Sequence, residues 1–555
     1  MKYIFLIFSA FFVVGCSLYR PPKSPQPAKI RTFKEKDSLL GYLNEYRKNY
    51  DVTYYDLDLK IEPSKKIISG EVQIYFDAVV PVKKMQIDLA ERLKIDSILD
   101  NNGQRLSYSR NYTAVTVNLK NTIMISGSSK ITVYYHGKPQ VARKPPWKGG
   151  VVWKKKEGKW FCGVACEDDG ANIWWPCKDH IKDKADSIKV RYTIPQGHTC
   201  VGNGRLVAHE KTFDGFERFT WKTSYPINNY NLSFYIGDYE HFQIDYEHKD
   251  SKLKKLDFYV RKENLTQAKT HFQQAVKILN IYEDFFGPYP WWKDGYKLVE
   301  SPYEGMEHQT AIAYGDKFKN GKYLNYDYII LHETAHEWWG NYVTACDMSD
   351  LWIHEGFATY AEMLYEEKTE GKNAYNISYL VNRITTINKR PLVGPRGVFY
   401  TNWRDSDIYS KGAVVLHMLR KNLDSDEQFF RIIKRFATEY NEHCVYTEHF
   451  MALVNEETGK NYDWFFKQYV FRPEAPELIY SYGTNPDGKT EFRYKWNPEN
   501  TNDDFAIGIS VQIGSQHFVL HPTSEVQKLT ISGMAAETAL IDQDDYVIFT
   551  NDKKL

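Results

Sequence analysis

The 555-residue chain lacks several features that would place it in familiar classes of protein. It has no dense run of lysine or arginine, and its 72 basic and 71 acidic residues leave a net charge of +1, which excludes the basic footprint of a nucleic-acid-binding protein. Beyond an apolar run at the N-terminus, no stretch approaches the roughly 20 apolar residues that span a bilayer. No internal repeat is present. The length is that of about three globular domains.

Cysteine is also scarce, with seven residues in the whole chain. An exported chain can form disulfide bonds, and free buried thiols are equally compatible with the sequence, which therefore predicts no pairing. Four cysteines cluster without the paired Cys-x-x-Cys spacing of a zinc ribbon, namely Cys162, Cys166, Cys177 and Cys200.

The N-terminus carries a short apolar run from Tyr3 to Val14, which ends in Val-Val-Gly-Cys16. The run is too short for a membrane span and is typical of a signal peptide. Its ending resembles a bacterial lipobox, in which Cys16 is acylated; the alternative is an ordinary cleaved signal with a coincidental cysteine. Residues 1–16 are thus predicted to be a lipoprotein signal peptide, and residues 17–37 a semi-rigid tether rich in proline and lysine. We expect an exported protein, lipid-anchored to a bacterial membrane at the periplasmic face or cell surface.

The most informative feature is the pentad His332-Glu333-Thr-Ala-His336, followed by Glu355 after eighteen intervening residues. On a helix, His332 and His336 are one turn apart, so both imidazoles leave the same face and can meet one metal ion. Two histidines and one glutamate leave the fourth position of a tetrahedral zinc open, which is typical of a catalytic site. Water bound there would have a pKa of about 7, and Glu333 could remove its proton. The sequence predicts one catalytic zinc per chain.

A second helical pattern begins near Glu355 and places Thr359 and Glu362 on the same stripe. A carboxylate at Glu362 could accept the outer N–H of a zinc-binding histidine, which would fix the orientation of the ring. The alternative is an ordinary solvent-exposed glutamate.

Together with these residues, a further motif resembles the zinc aminopeptidases of the aminopeptidase N type, within the gluzincins. The segment Glu304-Gly305-Met306-Glu307-His308 stands where the family has Gly-x-Met-Glu-Asn, shortly before the zinc helix. The resemblance implies that the substrate lies along Gly305, Met306, Glu307 and His308. It also implies that Glu307 binds the free α-amino group, since an ammonium in a closed cleft needs a carboxylate partner.

Two more site residues follow from the resemblance. Glu167 precedes Asp179 by twelve residues, the interval at which the family places a second amine-binding Glu or Gln. Tyr409 opens Tyr409-Ser-Lys-Gly, and in the family this tyrosine donates a hydrogen bond to the tetrahedral intermediate. A donor aimed at a developing oxyanion gives stabilisation that grows toward the transition state.

The segment departs from the family pattern at both of its ends. Glu304 replaces the first glycine and is expected to favour basic or neutral N-terminal residues over acidic ones, because it adds negative potential near the entrance. His308 replaces the closing asparagine. A metal role for His308 is disfavoured, because a fourth protein ligand would fill the open position of the zinc.

The alternation of apolar and polar residues over 55–61 is that of a half-buried strand, and similar segments follow it. The predicted fold is multidomain α+β, with an N-terminal β domain over 38–240, a thermolysin-like catalytic domain over 241–475 and a C-terminal β-sandwich domain over 476–555. The resemblance covers roughly 53–478. Many relatives add a large C-terminal helical domain, which we expect this chain to lack.

These observations predict a zinc metallo-aminopeptidase that removes single residues from peptides with a free N-terminus. Two rival interpretations remain open. A thermolysin-like zinc endopeptidase shares the pentad and the distant glutamate, but it has no use for paired amine-binding carboxylates. A non-catalytic peptide-binding scaffold would be expected to lose some of the catalytic residues. The sequence leaves the preferred N-terminal residue and the oligomeric state open.

Overall fold

The structure, a computed structural model, describes residues 33–555 apart from 213, 248–251, 316, 323, 400–404, 424, 441–443, 514–515, 532–538 and 542–543. The predicted signal peptide, Cys16 and most of the predicted tether lie outside the described residues. The helices, numbered in chain order, are α1 (Glu35–Gly41), α2 (Glu45–Lys48), α3 (Leu265–His271), α4 (Gln274–Phe286), α5 (Tyr328–Ala335), α6 (Trp352–Glu370), α7 (Lys372–Thr385), α8 (Ser410–Asn422), α9 (Asp426–Glu439), α10 (Thr447–Thr458) and α11 (Asp463–Tyr469).

The first part of the chain is rich in β-structure. Its strands are β1 (Tyr50–Glu62), β2 (Ile67–Ala78), β3 (Val82–Asp88), β4 (Leu93–Leu99), β5 (Ser107–Asn111), β6 (Ala114–Ile123), β7 (Ser128–Gly137), β8 (Gly150–Lys156), β9 (Lys159–Ala165), β10 (Lys184–Ala185), β11 (Ser187–Pro195), β12 (Thr199–Gly202), β13 (Arg205–Lys211), β14 (Phe216–Lys222), β15 (Ile227–Asn228) and β16 (Phe234–Gly237).

Strand β1 lies inside a seven-stranded sheet with the order β13-β14-β11-β1-β2-β7-β4. It pairs antiparallel with β2, with Leu57 opposite Val72, and parallel with β11. Leu57, Leu59 and Ile61 are fully buried while the residues between them are partly exposed, which is the alternation expected from the sequence. A four-stranded sheet, β12-β16-β9-β8, carries the chain toward Glu167, which follows the end of β9.

The middle of the chain combines the helices from α3 to α11 with a five-stranded sheet of order β17-β18-β19-β21-β20. Helix α5 packs against the edge of this sheet and against α6, and α6 in turn packs against α7 and α8. The strands of this region are β17 (Tyr239–Glu247), β18 (Leu253–Arg261), β19 (Tyr296–Glu300), β20 (Gly305–Met306), β21 (Ile312–Tyr314), β22 (Thr344–Ala345) and β23 (Cys444–Val445).

The last part of the chain forms a four-stranded sheet, β28-β25-β24-β30, and a three-stranded sheet, β27-β26-β29. Leu478 and Phe492 of the first sheet belong to the same buried cluster as the helices of the middle region. The Tyr379 hydroxyl on α7 also donates to the Asp544 carbonyl oxygen at 2.7 Å. The strands are β24 (Glu477–Thr484), β25 (Thr490–Trp496), β26 (Ile509–Ile513), β27 (Gln516–Leu520), β28 (Gln527–Ile531), β29 (Ala539–Ile541) and β30 (Ile548–Asn551).

One disulfide joins Cys346 to Cys444, where β22 and β23 pair. It connects the segment between α5 and α6 to the start of α10. The four clustered cysteines are buried free thiols. Among the described residues, no helix is long and apolar enough to cross a membrane.

Candidate active site

Three buried side chains converge on one point between α5 and α6. The Nε2 atoms of His332 and His336 lie 3.1 Å apart, and Glu355 Oε2 lies 3.3 Å from each of them. Two imidazole nitrogens and one carboxylate oxygen at this separation can hold one metal ion. The structure thus brings the three predicted ligands together.

Local sequence signals position these ligands. The Asp327 side chain accepts a hydrogen bond from the Ile329 N–H at 2.9 Å, which caps the N-terminus of α5. Helix α5 ends at Ala335, and His336 is its C-cap, still in helical conformation, so it stays one turn from His332. Glu355 lies in the first turn of α6.

Each histidine is held by its other ring nitrogen. His332 Nδ1 lies 2.6 Å from Glu362 Oε1, and His336 Nδ1 lies 2.8 Å from the Trp339 carbonyl oxygen. Because the Nδ1 atoms are engaged in this way, the Nε2 atoms face the metal position. The position of Glu362 agrees with the helical spacing in the sequence and not with the alternative of an exposed glutamate, since its side chain is only 14% exposed.

Burial and the neighbouring charges set the ionisation of the two central carboxyls. Burial alone would raise the pKa of Glu355, but His336 and His332 hold it well below its usual range. Burial raises the pKa of Glu333 well above that of an ordinary glutamate, with the histidines opposing this effect and Glu307 adding to it. A raised pKa suits a residue that takes a proton near neutral pH.

The metal ligands open into a cleft of about 740 Å³, which Glu333, Glu307, Glu167 and Tyr409 also line. Gly305 forms part of its wall, and a methyl group at this position would lie 2.4 Å from Glu333 Oε1. Only a glycine therefore allows the β20 backbone to approach Glu333 this closely.

Glu307 is buried beside the metal position, and the Tyr230 hydroxyl donates to its Oε1 at 3.1 Å. Its backbone carbonyl accepts hydrogen bonds from the side-chain amides of Asn341 at 2.9 Å and Asn231 at 3.2 Å. Both the carboxylate and the backbone of Glu307 are thus held in place. Burial raises the pKa of Glu307, and His336 opposes the shift.

Glu167 reaches the same cleft from the N-terminal β region and is half-buried. The loop that follows it is held by Asp179, which accepts hydrogen bonds from the backbone N–H of Asn172 at 2.9 Å and from its side-chain amide at 2.6 Å. The two residues that the sequence places twelve positions apart thus have distinct roles in the structure. Glu167 lines the cleft, and Asp179 holds the loop that follows Glu167.

Tyr409 lies at the start of α8, half-buried, with its ring centroid 6.0 Å from that of His332. Helices α6 and α8 approach closely through Gly356 and Gly412, where a methyl group on Gly356 would lie 2.8 Å from the Gly412 Cα atom. The buried Lys411 amine donates to the carbonyl oxygens of Arg472 at 3.0 Å and Pro473 at 2.9 Å. These contacts fix the helix that presents Tyr409.

Two segments of the chain match known domains. Residues 51–230 match the peptidase M1 N-terminal domain, and residues 270–469 match the peptidase family M1 domain. The chain belongs to peptidase family M1. This membership confirms the resemblance to aminopeptidases of the N type.

Similar proteins include endoplasmic reticulum aminopeptidase 1 of Homo sapiens, 26% identical over 335 residues, which are 56% of this M1 chain and 34% of that protein. Aminopeptidase N of Lactococcus lactis subsp. lactis is 24% identical over 458 residues, 76% of this chain and 51% of that protein. The chain spans about a third of the length of the first of these curated relatives.

A solved structure of a two-domain M1 zinc metallopeptidase mutant bound to L-tryptophan superposes with a TM-score of 0.67 at 24% identity, covering 78% of this chain and 97% of that one. A related structure from Deinococcus radiodurans, bound to a Tyr-Ser-Ala substrate, gives a TM-score of 0.64 at 24% identity, covering 76% of this chain and 94% of that one. These likenesses confirm the multidomain α+β fold with a β-rich N-terminal region and a helix-rich domain after it.

The side chain of His308 is fully buried in this M1 chain and does not line the cleft. That the substrate's main chain lies along residues 305–308 stays a prediction. His308 Nδ1 lies 2.5 Å from the Tyr235 hydroxyl, inside the N-terminal β core. The burial also lowers the pKa of His308 to about 3.

Three residues of the site carry no functional signal in the sequence. Tyr230 is one of 42 tyrosines, and Asn231 beside it follows no motif. Asn341 follows Gly340 after the helix that carries His332 and His336, and Gly-Asn at that place indicates only the end of a helix. All three reach Glu307 through the fold. Glu304, by contrast, lies exposed at the edge of the cleft, where its place in the sequence predicts it.

Proposed function

We propose that the chain is a zinc-dependent aminopeptidase that hydrolyses the N-terminal peptide bond of peptides. The observation that carries the proposal is the cleft, in which Glu307 and Glu167 lie beside the metal ligands and Glu333. Membership of peptidase family M1 supports it, as do the names of the relatives, which are aminopeptidases.

The site fits a zinc ion by its own chemistry. Two histidine nitrogens and one glutamate oxygen form the donor set of catalytic zinc sites, and both histidines carry an outer hydrogen bond of the kind that orients zinc ligands. The carboxylate between them stays ionised. We therefore name His332, His336 and Glu355 as the residues that would hold one zinc ion.

The remaining residues supply positioning and proton transfer. Glu307 and Glu167 would hold the substrate ammonium, and Tyr230 would keep the Glu307 carboxylate aimed at it. Glu333 would take the proton of the attacking water and pass it to the leaving amine. Tyr409 would donate a hydrogen bond to the oxyanion. The chemistry that a bound zinc ion supplies is polarisation of the scissile carbonyl and a lowered pKa for the water.

The test is hydrolysis of a panel of aminoacyl anilides by the zinc-loaded protein, each with a free and an N-acetylated amine. Cleavage of the free forms alone is expected. Cleavage of the acetylated forms would favour the endopeptidase, and zinc binding without any cleavage would favour the scaffold.

Glu333→Gln serves as the matched variant, because it keeps the shape of the side chain and removes the base. We expect it to retain zinc and to lose roughly 10²–10⁴-fold in kcat. Near-normal turnover in this variant would overturn the role of Glu333.

We also propose the finer features of the architecture that the sequence suggests. The helix-rich region would be a thermolysin-like domain, and the two C-terminal sheets would pack as a β-sandwich. A shared core supports the second suggestion, since Phe492 of one sheet and Val511 of the other belong to one buried cluster.

For location, we propose export and lipid anchoring at Cys16 to a bacterial membrane. The lipobox-like sequence supports this, and so does the Cys346–Cys444 disulfide, since such bonds persist in oxidising compartments. A Cys16→Ser variant should move from the membrane fraction to the soluble fraction. If it still fractionates with membranes, the anchor lies elsewhere.

A further inference from the structure

A second cavity, of about 630 Å³, adjoins the active-site cleft, and Glu304 borders both. Residues 300–304, which lead into the cleft, form one side of this cavity. Lys154 and Lys156, at the end of β8, and Lys317 line other sides. The cavity is therefore a basic extension of the cleft.

The order of residues along the chain shows which part of a bound peptide reaches this cavity. Glu307 is the proposed partner of the ammonium, and Gly305 lies against Glu333, the proposed base. Glu304 comes next, and Pro302 lies within the second cavity. A peptide held by its ammonium at Glu307 and cleaved beside Glu333 therefore runs toward the lysines with its leaving portion.

The β8–β9 hairpin lies opposite residues 300–304, on the other side of the route that the leaving portion of the peptide would take. The Tyr303 hydroxyl donates to the Val164 carbonyl oxygen at 2.7 Å, and the Lys154 amine donates to the Pro302 carbonyl oxygen at 2.7 Å. Glu167, at the ammonium end, follows two residues after the end of β9. The hairpin is thus tied to residues 302 and 303 in the wall of the second cavity.

The lysines of the cavity remain available to an anion. Lys154 and Lys156 are two residues apart on β8, so they project to the same side, and within the described part of the chain neither forms an ion pair with a carboxylate. Glu300, in the wall, already accepts hydrogen bonds from Arg261 Nε at 2.9 Å and the Asn264 amide at 2.7 Å. The negative charge of Glu300 is therefore compensated by Arg261 and Asn264 and does not require the lysines of the cavity.

We propose that this cavity binds a carboxylate on the leaving portion of the substrate, so that the enzyme prefers short peptides or peptides with an acidic residue near their N-terminus. The five steps from Glu307 to Pro302 span at most about 17 Å of extended chain, which places the carboxylate on about the third to fifth residue of the substrate. The proposal rests on the aminopeptidase function proposed above and names its substrate class.

The experiment compares peptides of two to eight residues with the same apolar N-terminal residue and alanines after it, each as the free acid and as the C-terminal amide. We expect kcat/KM to be about threefold to tenfold higher for the acid at three to five residues, and equal for acid and amide at eight. A second series of eight-residue amides carries Asp or Asn at the fourth position, which separates a side-chain carboxylate from a terminal one. The preference should weaken at high salt.

The variant is Lys156→Gln/Lys317→Gln, which removes two lysines of the cavity and leaves the Lys154–Pro302 hydrogen bond intact. The matched control is Lys159→Gln, which is exposed on the β8–β9 hairpin but does not line the cavity. The double variant should lose the acid preference and keep wild-type hydrolysis of an aminoacyl anilide, which has no leaving-side carboxylate. The control should keep both.

The two proposals fail in different ways. Anilide cleavage with equal rates for acids and amides at every length would overturn the inference and leave the aminopeptidase function intact. An acid preference that survives in the double variant would also overturn it. A protein that does not cleave the anilide would overturn the aminopeptidase function and this inference together.

Discussion

Gly305→Ala tests whether the close approach of strand β20 to the proposed base controls catalysis. The backbone of Gly305 lies outside the left-handed region, so alanine meets no backbone strain there. Its methyl group would lie 2.4 Å from Glu333 Oε1 and 2.9 Å from Ile329 Cγ2. Since an ordinary contact is 3.4 Å or more, the carboxylate must retreat by about 1 Å.

A misplacement of about 1 Å can cost on the order of 100-fold in rate, which corresponds to about 2.7 kcal/mol in activation free energy. We expect kcat for an aminoacyl anilide to fall by about this factor. The zinc content should not change, because Gly305 touches none of the three ligands' metal-facing atoms and the outer hydrogen bonds of the histidines lie on the other side of the rings.

The assay is steady-state kinetics together with metal analysis and thermal unfolding. Gly483→Ala is the matched control, because Gly483 also has ordinary backbone angles and its added methyl group meets no atom within 4 Å. Glu333→Asp should lower kcat by a smaller factor in the Gly305→Ala background than in the wild type, because the shorter side chain relieves the contact with the added methyl group. A kcat within threefold of wild type for Gly305→Ala would refute the reasoning.

Other expectations concern the residues around this site. Glu362→Ala should weaken zinc affinity by about 10–100-fold in a chelator competition, because it removes the outer hydrogen bond of a ligand. Tyr230→Phe should raise KM for free amines by about tenfold with a smaller change in kcat, because Glu307 loses its donor. Replacing Cys346 and Cys444 by serine should lower the free energy of unfolding by about 2–4 kcal/mol in denaturant. Chelation of zinc should lower Tm, because zinc binds the folded state.

Each of these expectations has an outcome that contradicts it. Unchanged zinc affinity in Glu362→Ala would mean that the His332 ring is held by other contacts. A Tyr230→Phe effect confined to kcat would place this residue in the chemical step instead of amine binding. A double serine variant with the same free energy of unfolding as the wild type would show that the disulfide does not stabilise the fold by restricting the unfolded chain. A Tm that does not respond to chelation would argue against a tightly held zinc.

The metal ligands could be predicted from the sequence because their geometry is local. His332 and His336 share one helix, and Glu362 lies two turns after Glu355 on another. Helical spacing alone then decides which side chains face each other. Only the contact between α5 and α6 depends on the tertiary fold and does not follow from helical spacing.

The parts that could not be predicted depend on contacts between distant segments. Cys346 and Cys444 are 98 residues apart and meet because two short strands pair, which no local pattern encodes. Tyr230 reaches Glu307 from the β-rich region in the same way.

The buried amine of Lys411 has a consequence for how the protein can be dissected. It binds two backbone carbonyls at residues 472 and 473, where the chain leaves the helices for the C-terminal sheets. A fragment truncated before this point would remove both carbonyl acceptors of a buried amine, two residues from the tyrosine of the cleft. Any minimal catalytic fragment would therefore have to extend beyond the last helix, at least through Pro473.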